Sequence, residues 1–288
     1  MIPGPFSYHR PKTAAEATGL LAQYAGGASV LAGGQSLIPM MKLRLAAPEH
    51  LVDMAAIAEL KGIERQADSL NIGAMTTQHE LISSRLIAET LPIIRETALQ
   101  VADPQVRYLG TLGGNLANGD PGNDLPAVML CLDATYRLLG PAGERKVKAR
   151  EFYQGAYATA LAEGEIMASI DVPLPASGHG FAYDKLKRKI GDYATAAAAV
   201  VLTAAGGKIT SCSIALSNLG DTPLLAQAAA TAVRGSSLEA PALGVALEAA
   251  RAIMAPAADT RGSIEYRTYV GGVMVERALK RAFARSQS

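Results

Sequence analysis

The sequence predicts an α+β protein of two domains, and three observations carry that expectation. Its 288 residues, 49% of them hydrophobic, are enough for one large core or two, because a single core stops growing near about 250–300 residues. Strand-like and helical segments are mixed through the N-terminal part, without the strict alternation of a parallel α/β fold. Beyond the short polar stretch Ser177-Gly178-His179-Gly180 the pattern changes to paired strands followed by helices, which places a domain boundary there and divides the chain into residues 1–177 and 178–288.

The elements follow in order. Residues 11–25 read as a helix, opened by the capping-box pair Thr13 and Glu16 and stopped by Gly26-Gly27. Ser29-Val30-Leu31 reads as a short buried strand running into Ala32-Gly33-Gly34-Gln35-Ser36, and Leu51–Met54 and Ser69–Ala74 as further strands. Helical patterns occupy about 78–89 and 92–101. Between Pro104 and Pro126 lie five glycines, and neither helical nor strand periodicity is present; the segment reads as a long, ordered binding loop. Residues 128–139 and 164–174 resume strand patterning. In the C-terminal part, runs 193–203 and 208–217 joined by Gly206-Gly207 predict a hairpin, with Cys212, Ile214 and Leu216 on one face and Ile209 standing apart. Helices at about 224–234, 239–254 and 263–284 complete an antiparallel sheet covered by helices.

Composition excludes several functions. Net charge is +1, and the one compact basic run, Lys185, Lys187, Arg188 and Lys189, is too short for a phosphate-neutralising stripe; it reads as a solvated face or a partner contact. Two cysteines, Cys131 and Cys212, cannot supply a disulfide framework or hold an iron–sulfur cluster or structural zinc alone. Cys131 lies among apolar neighbours and reads as a core residue. The start Met1-Ile2-Pro3-Gly4 lacks a signal-peptide pattern, and no apolar run reaches 18 residues, so a soluble cytoplasmic protein is expected. His9, His50, His79 and His179 show no metal-ligand spacing, and no Gly-x-Ser-x-Gly motif is present. No residue is expected to be catalytic and none to bind a metal.

The functional signal lies in Ala32-Gly33-Gly34-Gln35-Ser36 and Thr111-Leu112-Gly113-Gly114-Asn115. Glycine lets the backbone adopt positive φ and approach a ligand, so that successive N–H groups converge into an anion-binding nest. Ser36, Thr111, Gln35 and Asn115 add side-chain donors suited to phosphate oxygens. A pyrophosphate bridging two such loops is a natural guest. Neither the Rossmann fingerprint nor a P-loop is present.

These segments resemble the FAD-binding subunits of the molybdenum hydroxylases of the xanthine oxidase family. The match runs through Leu31–Pro39 with Arg44 and Pro48–Asp53, through Arg107–Asn115 with Gly119–Asp124, and through Tyr183–Ala194. Within that family the pattern is most similar to carbon monoxide dehydrogenase medium subunits, except that Gln35 stands where those more often have His. The resemblance implies a vanillyl-alcohol-oxidase-like FAD domain over residues 1–177, with subdomains about 1–57 and 58–177, followed by a C-terminal α+β domain. It implies FAD held by Ala32 to Ser36 and Thr111 to Asn115. Asp124 falls on the adenosine side, Ile166 against the isoalloxazine and Tyr193 near the ring, while the basic run Lys185 to Lys189 contacts a partner subunit, the flavin's electron-rich end or solvent alone. It implies a large subunit carrying the molybdenum cofactor and a small subunit carrying [2Fe-2S] clusters, in a dimer of heterotrimers, with electrons passing from molybdenum through the clusters to FAD and on to a quinone or other acceptor. The complex would be cytoplasmic, free or held at the inner face of the membrane. The substrate is carbon monoxide or, alternatively, an aldehyde, purine or N-heterocycle. Two rivals remain: a nucleotide-binding module without redox activity, which would bind ADP-like ligands without colour, and a self-contained flavin oxidase, which would need a larger substrate domain.

Overall fold

In the computed structural model, which describes residues 2–287, three helix-covered sheets and a two-stranded ribbon form the chain. The first sheet holds β1 (Ser7–His9), β2 (Ala28–Leu31) and β3 (His50–Asp53), parallel and in the order β1-β3-β2. Helix α1 (Ala14–Gln23) crosses between its first two strands. The Thr13 hydroxyl caps α1 by accepting from Glu16 N at 3.1 Å, while the Glu16 carboxylate accepts from Lys12 N instead of closing the reciprocal box. Val30 departs from the expected buried strand: it is 37% exposed and lines a cavity. Helix α2 (Leu37–Lys42) follows β2 directly after the first glycine pair.

The second sheet is antiparallel, in the order β4-β5-β10-β6-β7. Its strands are β4 (Ile63–Arg65), β5 (Ser69–Gly73), β6 (Thr135–Gly140), β7 (Gly143–Lys148) and, after the ribbon β8 (Tyr153–Gly155) and β9 (Ala158–Thr159), β10 (Ile166–Pro173). Between β5 and β6 runs a string of short helices: α3 (Gln78–Ser83), α4 (Arg85–Thr90), α5 (Pro92–Ala98), α6 (Pro104–Leu109), α7 (Leu112–Ala117) and α8 (Leu125–Cys131). The helix expected over 78–89 breaks at Ser84, whose hydroxyl caps α4.

The expected loop over 104–126 is largely helical. Asp103 caps α6 with Pro104 in its first turn, and Thr111 caps α7. These helices are only six residues long, too short to display a period, so their caps were the legible signal. The strand expected from residue 128 is likewise a correction. Leu125–Cys131 is helix α8, buried on every side, and an all-apolar helix has no amphipathic period to distinguish it from a buried strand.

The third sheet is the antiparallel β11 (Gly180–Leu186), β12 (Ala196–Ala205), β13 (Lys208–Ser217) and β14 (Leu224–Leu225), in that order. Gly206 and Gly207 both have positive φ, 58° and 74°, as a two-residue hairpin turn with the strands' own twist requires. The isolated Ile209 is explained by a bulge: Thr203 pairs Ser211 while Ala204 pairs Ile209, so the extra Thr210 brings Ile209 and Cys212 to the same buried face. Helices α9 (Ala149–Phe152), α10 (Gln227–Ala232), α11 (Ala240–Ala252) and α12 (Ile264–Arg285) complete the chain. Residues Ala196–Ala199 of β12 are all fully buried because α8 covers one face of this sheet and α12 the other. One apolar cluster consequently runs from Leu70, Ile72 and Tyr136 through α8 to Tyr183, Ala197 and Ala215, joining the second sheet to the third. No helix among the described residues is long and apolar enough to cross a membrane.

Candidate functional site

A cavity of about 450 Å³ opens where the α2 turn, the α6–α7 corner, the start of β10 and the segment after β11 converge. It is lined by Ala32, Gly33, Gly34, Gln35, Ser36, Thr111, Gly113, Gly114, Asn115, Asp124, Ile166 and Tyr193, all singled out in the sequence. Leu112 is the exception, its side chain fully buried in the core.

The two glycine segments do different work. In the first, Gly34 has φ 72°, and a Cβ on Gly33 would stand 2.2 Å from the Leu109 carbonyl oxygen and 2.8 Å from the Gly110 Cα. The loops therefore touch at a point only glycine allows. The N–H groups of Gly33, Gly34, Gln35 and Ser36 donate to no protein group among the described residues, leaving a nest of four donors. In the second segment the amides are already used. Leu112 N donates to Thr76 O at 2.9 Å, Gly113 N to Ala74 O at 2.8 Å, and Gly114 N to the Thr111 hydroxyl at 3.0 Å. The expectation of two equivalent nests is thus corrected: Gly113 is there because a Cβ would lie 2.5 Å from that of Ala74. What this segment presents is side chains, the Thr111 hydroxyl and the Asn115 amide, whose Oδ1 is buried without a partner.

Asp124 is buried, and both of its oxygens are engaged. Lys185 Nζ donates to Oδ2 at 2.7 Å, and the Tyr183 hydroxyl donates to Oδ1. Burial pushes the Asp124 carboxyl upward from its ordinary pKa, opposed by the Lys185 ammonium and the Tyr183 hydroxyl. Lys185 itself, whose basic run left solvent, a partner or the flavin open as its contact, has a side chain only 1% exposed and lines the cavity. Period two was the available signal: on β11 Tyr183 and Lys185 share a face, and Tyr183 belongs to the core. Lys185 and Lys187 also both donate to Gln100 O, and burial, with the neighbouring Lys185 charge, holds the Lys187 ammonium below its usual range.

At the opposite wall Ile166 opens β10, buried between β6 and the first sheet's core. Its neighbour Glu165 is gripped by both arms of Arg145, at 2.7 and 2.6 Å, and that guanidinium holds the carboxyl below the usual range. Tyr193 is 42% exposed, with the Arg261 guanidinium 5.8 Å over its ring; burial and the nearby Asp120 carboxylate raise its hydroxyl pKa. Asp192 accepts from Arg188 and Arg261 at 3.0 and 3.1 Å. Burial opposes ionisation there, but the two guanidiniums prevail and lower its pKa. Tyr108, an aromatic flanking the second loop, lies outside the cavity lining with its ring against His79 at 4.1 Å.

Among the lining residues Lys185 is the single cation, and it faces Asp124. An anionic ligand here is met by dipoles instead of cations. The residues fit FAD: free amides and a side-chain-free crossing suit a diphosphate, while Ile166, Met167 and Tyr193 offer apolar and aromatic surface to a flat ring.

Residues 4–175 match the FAD binding domain in molybdopterin dehydrogenase, and residues 181–282 match the CO dehydrogenase flavoprotein C-terminal domain. The chain therefore belongs to the family of FAD-binding oxidoreductase subunits of the molybdopterin dehydrogenases. More particularly, it is 58% identical over 288 residues, the whole of both chains, to the carbon monoxide dehydrogenase medium chain of Afipia carboxidovorans. It is 47% identical over 285 residues, 99% of each chain, to that of Hydrogenophaga pseudoflava. The solved structure of reconstituted CO dehydrogenase from Oligotropha carboxidovorans matches with a TM-score of 0.98 at 59% identity, covering 99% of this chain and 100% of that one. The expected α+β fold with its FAD-binding domain is borne out.

Proposed function

We propose that this chain is the electron-transfer subunit of an aerobic carbon monoxide dehydrogenase. The observation that carries the reading is the loop of four unpartnered amides opening into a cavity of FAD-compatible chemistry, in a chain similar over its full length to two such medium chains. FAD, when bound, supplies the electron-carrying chemistry. The chain's own task is to bind and orient it. Gly33 to Ser36 would receive the diphosphate, with Thr111, Gly113, Gly114 and Asn115 beside it; Leu112 serves through its backbone and core packing. Asp124 would act through the Lys185 and Tyr183 network it anchors, and Ile166 and Tyr193 would flank the ring. We assign residues 1–177 to the FAD domain, with subdomains of about 1–57 and 58–177, and residues 178–288 to the C-terminal domain.

The partners would be a large molybdenum subunit and a small [2Fe-2S] subunit in a cytoplasmic dimer of heterotrimers. The complex would oxidise CO and water to CO₂, two protons and two electrons, the electrons leaving through this subunit to a quinone or other acceptor. Gln35 in place of the more usual His favours one second reading, a molybdenum hydroxylase of aldehydes, purines or N-heterocycles. Purification from the native host tests the assignment: flavin absorption, molybdenum, iron and two further polypeptides support it. A lone, colourless chain that takes up no FAD when its partners are supplied overturns it.

A further inference from the structure

Gln78 stands at the crossing of the two loops, and neither motif includes it. It is the first residue of α3, its N–H donates to Gly110 O at 2.8 Å, and its side chain lies over Gly110. A Cβ on Gly110 would stand 3.4 Å from Nε2 and 3.5 Å from Cδ, ordinary van der Waals contact, so the amide lies directly against this turn. Gly110 is also where Gly33 makes its close approach, beside the four free amides. Gln78 is only 3% exposed, lines the cavity, and has an Oε1 with no hydrogen-bond partner; no bond to its Nε2 is formed by the described residues either. Nε2 is the end of the amide left open to the cavity, and a donor there that no protein group uses is free to meet an acceptor on a ligand.

We infer that the Gln78 amide is a third member of the diphosphate cradle, donating Nε2–H to a phosphate oxygen of FAD at the loop crossing. The inference rests on the FAD reading of this cavity and adds a recognition residue to it. Its weight comes from the charge inventory. No cation other than the paired Lys185 lines the cavity, so the diphosphate is compensated by neutral donors alone, and each one counts. The position also demands a neutral side chain. Glutamate is nearly isosteric with glutamine but would set a carboxylate against the phosphates, exchanging a donor for a like charge.

The test uses the assembled complex with wild-type, Gln78→Leu and Gln78→Glu chains. FAD affinity is read by ultrafiltration, ADP by competition, and folding by thermal melting of the flavin-free form. Loss of a hydrogen bond to a charged group predicts about 10- to 100-fold weaker FAD binding for Gln78→Leu. Gln78→Glu should be weaker still, and its deficit should shrink as pH falls and the carboxyl protonates. ADP, which carries the diphosphate but no flavin, should lose affinity in the same order, with the melting of the flavin-free form little changed. FAD and ADP affinities in Gln78→Glu equal to wild type overturn the inference while leaving the FAD reading intact, as does a pH-independent loss equal in both variants. A wild-type complex that holds no flavin overturns the FAD reading itself.

Discussion

Replacing Gly33 with alanine probes the place where the two halves of the cavity meet. The added Cβ would stand 2.2 Å from Leu109 O and 2.8 Å from Gly110 Cα and Leu109 C, all backbone atoms that no rotamer change can move. Restoring an ordinary contact requires the loops to part by about 1 Å, and overpacking of this kind costs about 1–3 kcal/mol. Without ligand the loops can relax apart; with FAD the four amides and the Asn115 side chain must close on one diphosphate again. Most of the cost therefore falls on binding, and at 1.4 kcal/mol per tenfold it weakens FAD about 5- to 150-fold. The assay is the FAD dissociation constant of the assembled complex, measured alongside its melting temperature. Gly19→Ala is the control: it sits in the exposed middle of α1 with nothing within 4 Å of a Cβ, and alanine there should stabilise by up to about 1 kcal/mol without touching flavin affinity. If Gly33→Ala matches wild type in both flavin affinity and melting, the close approach does not matter and the reasoning fails.

Other consequences follow from the same contacts. Lys185→Met leaves Asp124 buried and unpaired and should destabilise the chain by about 3–5 kcal/mol in denaturant titration; adding Asp124→Asn should recover much of that, and a single-mutant loss under 1 kcal/mol would count against the pair. Glu165, held low by Arg145, contributes stability that is present above the ordinary carboxylate pKa and lost as pH falls through its depressed value, so the melting temperature of wild type should drop more steeply below about pH 5 than that of Glu165→Gln. Parallel curves would refute this. Gly180→Ala sets a Cβ 1.8 Å from Ala282 O and should shift α12 off β11, lowering melting by several degrees through about 1–3 kcal/mol or more of overpacking. Burial raises the Cys131 thiol to about 11 and raises Cys212 as well, so neither should react with a thiol reagent at neutral pH until urea unfolds the chain; rapid labelling of the native protein would contradict their placement.

The parts of this fold that were legible in the sequence are those whose signal is local. The Thr13 cap, the Gly206-Gly207 turn and the alternation of Cys212, Ile214 and Leu216 each report on their own neighbourhood and appear where expected. Misreadings arose where tertiary context decides. Leu125–Cys131 is apolar throughout because it is sandwiched between two sheets, and burial on all sides erases the period that separates helix from strand. Lys185 sits in a run of four basic residues, yet the pleat of β11 turns it inward to Asp124, sixty-one residues away in sequence. The glycine loops were visible as motifs, but their division of labour was not: which amides are free depends on Ala74 and Thr76, carbonyls supplied by the turn after β5. Gln78 carried no signal at all, since a lone glutamine becomes a site residue only where the fold lays it against Gly110 at the loop crossing.

The role of this subunit is tested by the flavin absorption of the purified three-subunit complex on anaerobic addition of carbon monoxide. One non-covalent FAD per copy of this chain is expected, bleached by carbon monoxide and restored by a quinone. A complex whose flavin spectrum carbon monoxide leaves unchanged, but which an aldehyde or N-heterocycle bleaches, contradicts the substrate; a complex without flavin contradicts the subunit's role.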